Sequence, residues 1–338
     1  MAEKFRYLKI IFKIIVFLIL VICWLWAGTA IYLAGPGPHW LHTLLTALFT
    51  LFLPAAFIFS RSFSKGITLC LALFALVLVW WQTLTPTNDK DWAVDVAQIS
   101  HGEIVGDTLV MKNVRNFDYE SEQTFQQRWE TREYDLKKLE GLDIFLSYWA
   151  SDNIAHTILS WDFGTDGHLA ISIETRKDKT QQFSALKGFF KQFEIAYVAA
   201  DEEDIIRLRT NYRKERVYIY RLLVEEEQMA ALLKSYLKKM NSLVDKPEFY
   251  DALTHNCTTT IQLHADAINP GERPPLDWRL IASGHVDAML YDMGEVSTAL
   301  PFPELRKSSR VDLLMQKEGK EDFSRVMRDY VRNGQKMN

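Results

Sequence analysis

Ile154-Ala155-His156-Thr157-Ile158-Leu159-Ser160-Trp161-Asp162 and Leu169-Ala170-Ile171-Ser172-Ile173-Glu174-Thr175 are β-rich runs, and Phe163-Gly164-Thr165-Asp166-Gly167 between them supplies two glycines and an aspartate for a tight reversal. That pattern predicts a β-hairpin. A three-residue loop sets Phe163 opposite Gly167 and His156 opposite Glu174, whereas a slip of one residue would turn Glu174 to the other face. Further strands are expected over residues 109–114, 195–199 and 216–222, which makes the middle of the chain an antiparallel sheet. Residues 129–136 are amphipathic without a clear period, and their state stays open.

Two helices accompany the sheet. Residues 225–243 carry Met229, Leu232, Leu233, Tyr236, Leu237 and Met240 at helical spacing, a core-facing stripe rather than a cofactor box. Residues 257–268 form the second, with Cys257, Ile261, Leu263, Ala265 and Ile268. Asn256 is its expected N-cap and Asn269-Pro270-Gly271 its stop, so Cys257 falls in the first turn.

Upstream the composition changes. The first 83 residues hold one acidic residue, Glu3, and three apolar runs at residues 8–34, 40–59 and 67–84. Apart from Lys9 and Lys13 at the first end, each offers the roughly 18–20 uncharged residues that cross a hydrocarbon layer as a helix. The first run is longer than the core of a cleaved signal peptide, and two more follow it. Lys4, Arg6, Lys9 and Lys13 precede the first run and Arg61 and Lys65 separate the second from the third, while Gly35-Pro36-Gly37-Pro38 carries no cation. The positive-inside rule therefore places the N-terminus in the cytoplasm and everything after Leu84 outside. Trp24, Trp26, Trp40, Trp80 and Trp81 fall near the span ends, where an indole keeps its N–H wet.

The expected organisation is a three-helix anchor at 1–84, a periplasmic α+β domain at 85–300 and a helical C-terminal extension at 301–338. The polar stretch from Thr85 to Asp91 is the linker, and Phe323-Ser324-Arg325-Val326-Met327-Arg328 typifies the extension. The whole chain has 39 Lys and Arg against 43 Asp and Glu. Six of the cations and one of the acids lie in the first 84 residues, so 33 basic residues face 42 acidic ones beyond them. An exported part carrying about −9 excludes nucleic acid as an expected partner.

Of three cysteines, Cys23 and Cys70 lie within apolar runs, which leaves Cys257 without a partner in a compartment that permits disulfides. A thiol in the first turn of a helix feels the positive end of the backbone dipole and unpaired N–H groups, both of which favour the thiolate. A strand-borne His156 facing it would serve as base and then acid, and those amides would hold an oxyanion. Glu174, or His168 on the same hairpin, is the candidate orienting group. A core histidine and an inert buried thiol are the plain alternatives. His264, seven residues after Cys257, raises a Cys/His metal site, but no CxxC or HxxxH spacing accompanies it; neither metal nor cofactor is expected. His255 reads as exposed. Arg207, Arg209, Tyr212 and Arg213 form a basic knot suited to a phosphate or carboxylate headgroup, with a solvated face as the alternative.

Several separated segments together resemble one bacterial family. They are Asn88-Asp89, Asn113-Val114-Arg115-Asn116-Phe117-Asp118-Tyr119, Trp129-Glu130-Thr131-Arg132, Ser147-Tyr148-Trp149, Ala155-His156-Thr157-Ile158-Leu159-Ser160, Ser172-Ile173-Glu174-Thr175-Arg176 and Asn256-Cys257-Thr258-Thr259. The family is described as the Lnb N-terminal periplasmic domain, and the resemblance covers most of residues 88 to about 330. It implies a link to lipoprotein N-acylation. The His-then-Cys order is also similar to the permuted papain-like (NlpC-like) fold of the lecithin retinol acyltransferase relatives, which hold acyl groups as thioesters. On that likeness Cys257 is the acyl-accepting nucleophile and His156 its base. Those relatives use a second histidine where this chain offers His168, so Glu174 and His168 both stand as the third member. The lipoprotein acyltransferase carries its membrane helices after the periplasmic domain, and this chain carries them before. The resemblance thus implies a cysteine acyltransferase or thioester-forming hydrolase at the bacterial inner membrane, acting on phospholipid or lipoprotein acyl groups. An NlpC-like cell-wall peptidase and a non-catalytic envelope binding protein are the alternatives.

Overall fold

The computed structural model describes residues 2–269, 277–317 and 322–336, which divide into two units. The first is the chain up to Thr87 together with Phe183–Phe193. Its helices α1 (Ala2–Ala34), α2 (His39–Ser60) and α3 (Phe63–Thr83) contain the three apolar runs, and all three are long and apolar enough to cross a membrane. Helix α1 starts earlier than the apolar pattern and takes in Lys4, Arg6, Lys9 and Lys13, as α3 takes in Lys65. Long cationic side chains at a span end bury their methylenes and carry the charge out to water, so a helix can run past its apolar stretch. Trp24 stacks on Phe49 with ring centroids 4.0 Å apart and donates its indole N–H to Phe49 O at 3.1 Å. In the segment bearing α4 (Ala185–Gly188), Phe190 meets Trp81 edge-on at 6.3 Å.

The second unit comprises Asn88–Gln182 and the chain from Glu194 onward. Its strands are β1 (His101–Val105), β2 (Thr108–Arg115), β3 (Asp118–Tyr119), β4 (Phe125–Gln126), β5 (Trp129–Asp135), β6 (Gly141–Ser151), β7 (Ile154–Asp162), β8 (His168–Arg176), β9 (Glu194–Ala200) and β10 (Arg216–Arg221). Eight form one sheet in the order β1-β2-β9-β8-β7-β6-β10, with β5 also on β2, while β3 and β4 pair separately. The contact of β2 with β9 is parallel, through Arg115↔Ala200, and the other pairings are antiparallel. Residues 129–136, open in the sequence, supply β5 because their pairing with β2 buries Tyr134 opposite Leu109.

The hairpin has the expected register. Its ladder runs from Ile158↔Ser172 to Asp162↔His168, and Phe163 N–H donates to Gly167 O at 2.9 Å. Gly164 and Gly167, at φ 55° and 89°, turn the chain through the left-handed region that glycine enters without a Cβ clash.

Strand alternation builds two cores. The helices of this unit are α5 (Glu202–Arg207), α6 (Glu226–Asp245), α7 (Cys257–Ile268), α8 (Val286–Met293), α9 (Phe302–Ser308), α10 (Asp312–Met315) and α11 (Phe323–Lys336). Leu159, Trp161, Ile171, Ile173 and Tyr197 share one core with the Met229, Leu232, Leu233, Tyr236 and Met240 stripe of α6. Phe145, Ile158, Ala170 and Val198 share the other with Ile205 of α5, Met315 of α10, and Phe323 and Met327 of α11. The class expected from the sequence, α+β with three apolar helices followed by a sheet and a cysteine-bearing helix, is the one the chain adopts.

Residues 301–338 are largely helical where described, and Val311, Met315, Phe323 and Met327 from them pack in the second core. Arg328 is buried between two carboxylates, with Nη2 2.7 Å from Asp143 Oδ2 and 2.6 Å from Glu202 Oε1. Much of what docks α11 is therefore ionic, which an apolar periodicity does not reveal. Asn269 closes α7, and Pro270 and Gly271, expected as part of its stop, lie outside the described residues.

Candidate active site

The β7–β8 ladder ends at Ile158↔Ser172, yet β7 continues along β6 through Ser147↔His156, and β8 continues along β9 through Glu174↔Ala196. The two strands therefore part below Ser172. The first turn of α7 meets them there. Thr157 N–H, released from the ladder, donates to the sulfur of Cys257. The sulfur lies 3.8 Å from Thr258 Oγ1, which is itself 3.2 Å from Thr157 Oγ1.

His156 uses both ring nitrogens. Its Nε2 is 2.6 Å from Ser172 Oγ and 3.2 Å from Glu174 Oε1. With Nε2 so engaged, Nδ1 is the nitrogen left for the hydrogen bond with Cys257. Ser172 Oγ donates to Glu174 Oε1 at 2.7 Å, which leaves the serine oxygen free to accept from the imidazole. Behind them Arg209, 4% exposed, donates from Nη2 to Glu174 Oε1 at 3.0 Å and from Nη1 to Ile205 O at 2.8 Å.

The charges reinforce one another. Burial pushes the Cys257 thiol up, but the hydrogen bond and charge of His156, the Thr157 amide and the Thr258 hydroxyl outweigh it, and the thiol sits below its ordinary value. Burial pulls the imidazole down, but the Glu174 charge and the bonds to Cys257 and Glu174 lift it to about 9 despite Arg209. Burial also works against the Glu174 carboxylate, and His156, Arg209 and Ser172 nevertheless hold it well below the usual carboxylate range. The arrangement favours a thiolate–imidazolium pair backed by a carboxylate, a form suited to nucleophilic attack on an electrophilic carbon.

Asn256 caps the helix that opens with Cys257. Its side chain accepts from Thr258 N–H and Thr259 N–H, each at 2.9 Å, and Thr259 Oγ1 accepts from Asn256 N–H at 3.1 Å. Two of the amides that a helix start offers are thus taken by the cap. Asn256→Ala is expected to cost about 1 kcal/mol, lowering the thermal midpoint of the chain by roughly 2–4 °C. Asn256→Asp should recover that stability while its charge raises the Cys257 thiol, a split readable by thermal unfolding and by alkylation rate against pH. A drop in midpoint that persists in Asn256→Asp would count against the capping role.

The other sequence candidates lie elsewhere. His168 stands at the far end of the β8 ladder, with Nε2 3.4 Å from Asp162 Oδ1. Glu174 is the group beside His156. Arg207 lies 3.6 Å from Asp118 and over the Tyr212 ring, and Arg213 bonds Glu122 at 2.9 Å. The Tyr212 hydroxyl donates to Tyr119 O. Arg209 alone of that group reaches the site, through Glu174. His264 is held between Tyr197 Oη and Ser235 Oγ, 2.7 Å from each, and burial lowers it to about 4. His255 is partly exposed and bonds Thr254 Oγ1. The sequence reading missed Ser172 and Thr157 and the link from Arg209 to Glu174. Strand alternation does put Ser172 on the face of Glu174, and that signal was available.

Comparisons with curated proteins and with solved structures returned no match. Residues 125–284, the segment that carries His156, Ser172, Glu174, Arg209, Asn256 and Cys257, match the family model described as the Lnb N-terminal periplasmic domain. Over this segment, just under half of its 338 residues, the chain is similar to the Lnb N-terminal periplasmic domain family, and three apolar helices long enough to cross a membrane precede it.

Proposed function

We propose that this chain is a periplasm-facing cysteine acyltransferase, or a hydrolase working through the same thioester, that takes acyl groups from phospholipid or lipoprotein esters. The observation that carries the reading is the hydrogen bond between the Cys257 sulfur and a His156 imidazole backed by Glu174. A strand-borne histidine before a helix-borne cysteine supports the permuted NlpC-like reading. The cation bias of the first unit supports a cytoplasmic N-terminus and an inner-membrane location, and the apolar helices tether the site to the membrane where acyl esters reside.

The Cys257 thiolate attacks the ester carbonyl carbon, forming a C–S bond. Asn256 has taken the Thr258 and Thr259 amides, so the N–H of Cys257 is the first-turn donor left for the oxyanion. As the C–O bond breaks, the leaving alkoxide takes a proton from His156 Nδ1. An amine or water then attacks the thioester, giving its proton to His156 and releasing the thiolate.

Incubation of the full-length protein with a phospholipid or an activated ester, followed by intact mass spectrometry, should show one acyl adduct, absent from Cys257→Ala. A wild type that never acquires the adduct overturns the proposal. Release of peptide fragments from purified murein without an adduct would favour a peptidase instead.

A further inference from the structure

A cavity of about 270 Å³ lies between α6, α7, α8 and the sheet. Close-packed interiors hold few voids larger than a water molecule, so an apolar space of this size is a binding site in waiting rather than a packing flaw. Its walls are mainly aliphatic, with Leu142 and Leu159 of the sheet, Leu232 of α6, Ala265 of α7 and Met289 of α8, while Gln228, Gln262, Asp266, Asn269 and Glu295 supply a polar minority of the lining. Thr157 and Thr258 also line it, and both touch the Cys257 sulfur beside His156, one by its N–H and one by its hydroxyl. The cavity thus begins beside the atom that would carry an acyl group. Thr258, Ile261, Ala265 and Ile268 continue it along one face of α7, over roughly 15 Å of helix at 1.5 Å per residue.

The lining decides the class of occupant. A peptide would bring an N–H and a C=O at every residue, more polar groups than the few Gln, Asn and carboxylate side chains of a mainly aliphatic lining can pair, and each one left unpaired is costly. A hydrocarbon chain has no such groups. We infer that this cavity seats the aliphatic chain of the acyl group bound to Cys257 and sets its length preference. The inference rests on the acyl-transfer reading above. Each methylene withdrawn from water contributes about 0.8 kcal/mol, about fourfold in rate constant, until the cavity is filled.

The test uses the full-length protein in nanodiscs of ether-linked phospholipid, which contain no acyl ester of their own. The probes are p-nitrophenyl acetate, butyrate, octanoate and decanoate. The readout is the rate of adduct formation at Cys257, normalised to the reaction of dithiothreitol with the same esters in the same discs. The octanoate-to-acetate ratio should exceed roughly 10 in the wild type and fall to about 2 or less in Ala265→Phe, whose ring occupies the cavity, as expected from the gain per methylene. The smaller Ala265→Leu should lie between them, and Leu232→Ala should move the optimum toward decanoate. A flat chain-length profile in the wild type, or an unchanged ratio in both Ala265 variants while acetate still reacts, overturns the inference and leaves acyl transfer standing. Failure of every ester, acetate included, to label Cys257 overturns the acyl-transfer reading itself.

Discussion

His156→Ala slows alkylation of Cys257 by iodoacetamide at pH 7 by about tenfold or more and, on the proposed acyl chemistry, slows turnover by about 10²–10⁴-fold, the usual worth of a positioned acid–base group. The cause is a lost balance. Burial, which opposes the thiolate, stays in the variant, while the hydrogen bond and positive charge of His156 disappear and only Thr157 and Thr258 still favour the anion. The midpoint of alkylation rate against pH therefore moves up; a tenfold loss of thiolate corresponds to about 1.4 kcal/mol. Glu174→Gln acts through His156 in the same direction, because the carboxylate charge is the largest influence lifting the imidazole to about 9.

The pH profile carries a sign that can be checked. On the proposed chemistry, turnover in the wild type should rise as Cys257 ionises below its ordinary value and fall as pH rises through about 9, where His156 loses the proton that the leaving group would take. Because the folded state raises the His156 value above the 6.5 of a free imidazole, its ion pair with Glu174 contributes stability that is fully present below pH 6.5 and lost as pH rises through about 9. Peptide-resolved mass spectrometry separates Cys257 from Cys23 and Cys70. Identical alkylation profiles for wild type and His156→Ala would remove the histidine from any part in activating the thiol.

Arg328→Met destabilises the second unit by about 3–5 kcal/mol, the cost of leaving a buried charge without its partner. The guanidinium reaches Asp143 Oδ2 from Nε at 2.9 Å and Glu202 Oε2 from Nη1 at 2.8 Å, beyond its Nη2 contacts. Asp143 keeps Arg221, whose Nε is 2.7 Å away. Among the described residues, Glu202 keeps the Ser160 hydroxyl, at 2.6 Å, as its remaining side-chain hydrogen-bond donor. Its carboxyl now titrates near 2, because the charge and hydrogen bonds of Arg328 outweigh burial. Without Arg328, burial prevails and Glu202 takes up a proton at higher pH. The stability it contributes, present above about 4.5 and lost as pH falls through about 2, then disappears from a higher pH downward. Thermal unfolding of the full-length protein should show a fall of roughly 6–20 °C, at about 2–4 °C per kcal/mol for a unit of this size. Doubling the variant as Arg328→Met with Glu202→Gln should recover part of the loss. A midpoint within about 2 °C of wild type, in the single variant, would show that α11 is docked by its apolar residues alone.

The two halves of the site were legible to different depths. Asn256 caps α7 and Cys257 opens it, as read from the residues, because a cap and the first turn it serves lie within four positions of each other. The hairpin register was legible for the same reason, since two glycines and the loop length set it locally. Arg209 was not. In sequence it sits among Arg207, Tyr212 and Arg213 as a basic knot, and only the fold separates it from them by burying it behind Glu174. The packing of the C-terminal helix was not legible, because its contribution to the core is Phe323 and Met327 plus a buried guanidinium, and charge reads as exposure when its partners are 126 and 185 residues away.

By itself the sequence determined three apolar helices, an antiparallel hairpin and a thiol at a helix start, since apolar length, strand alternation and capping chemistry all act over a few residues. The choice between Glu174 and His168 belonged to the tertiary structure. Both lie on β8 and six residues apart, about 20 Å at 3.3 Å per residue, and the sequence offers each as a partner for His156. What decides is where the β7–β8 ladder stops. It ends at the Ile158↔Ser172 pair, the strands part, and the first turn of α7 brings Cys257 to the end that holds His156 and Glu174, leaving His168 with Asp162 at the other.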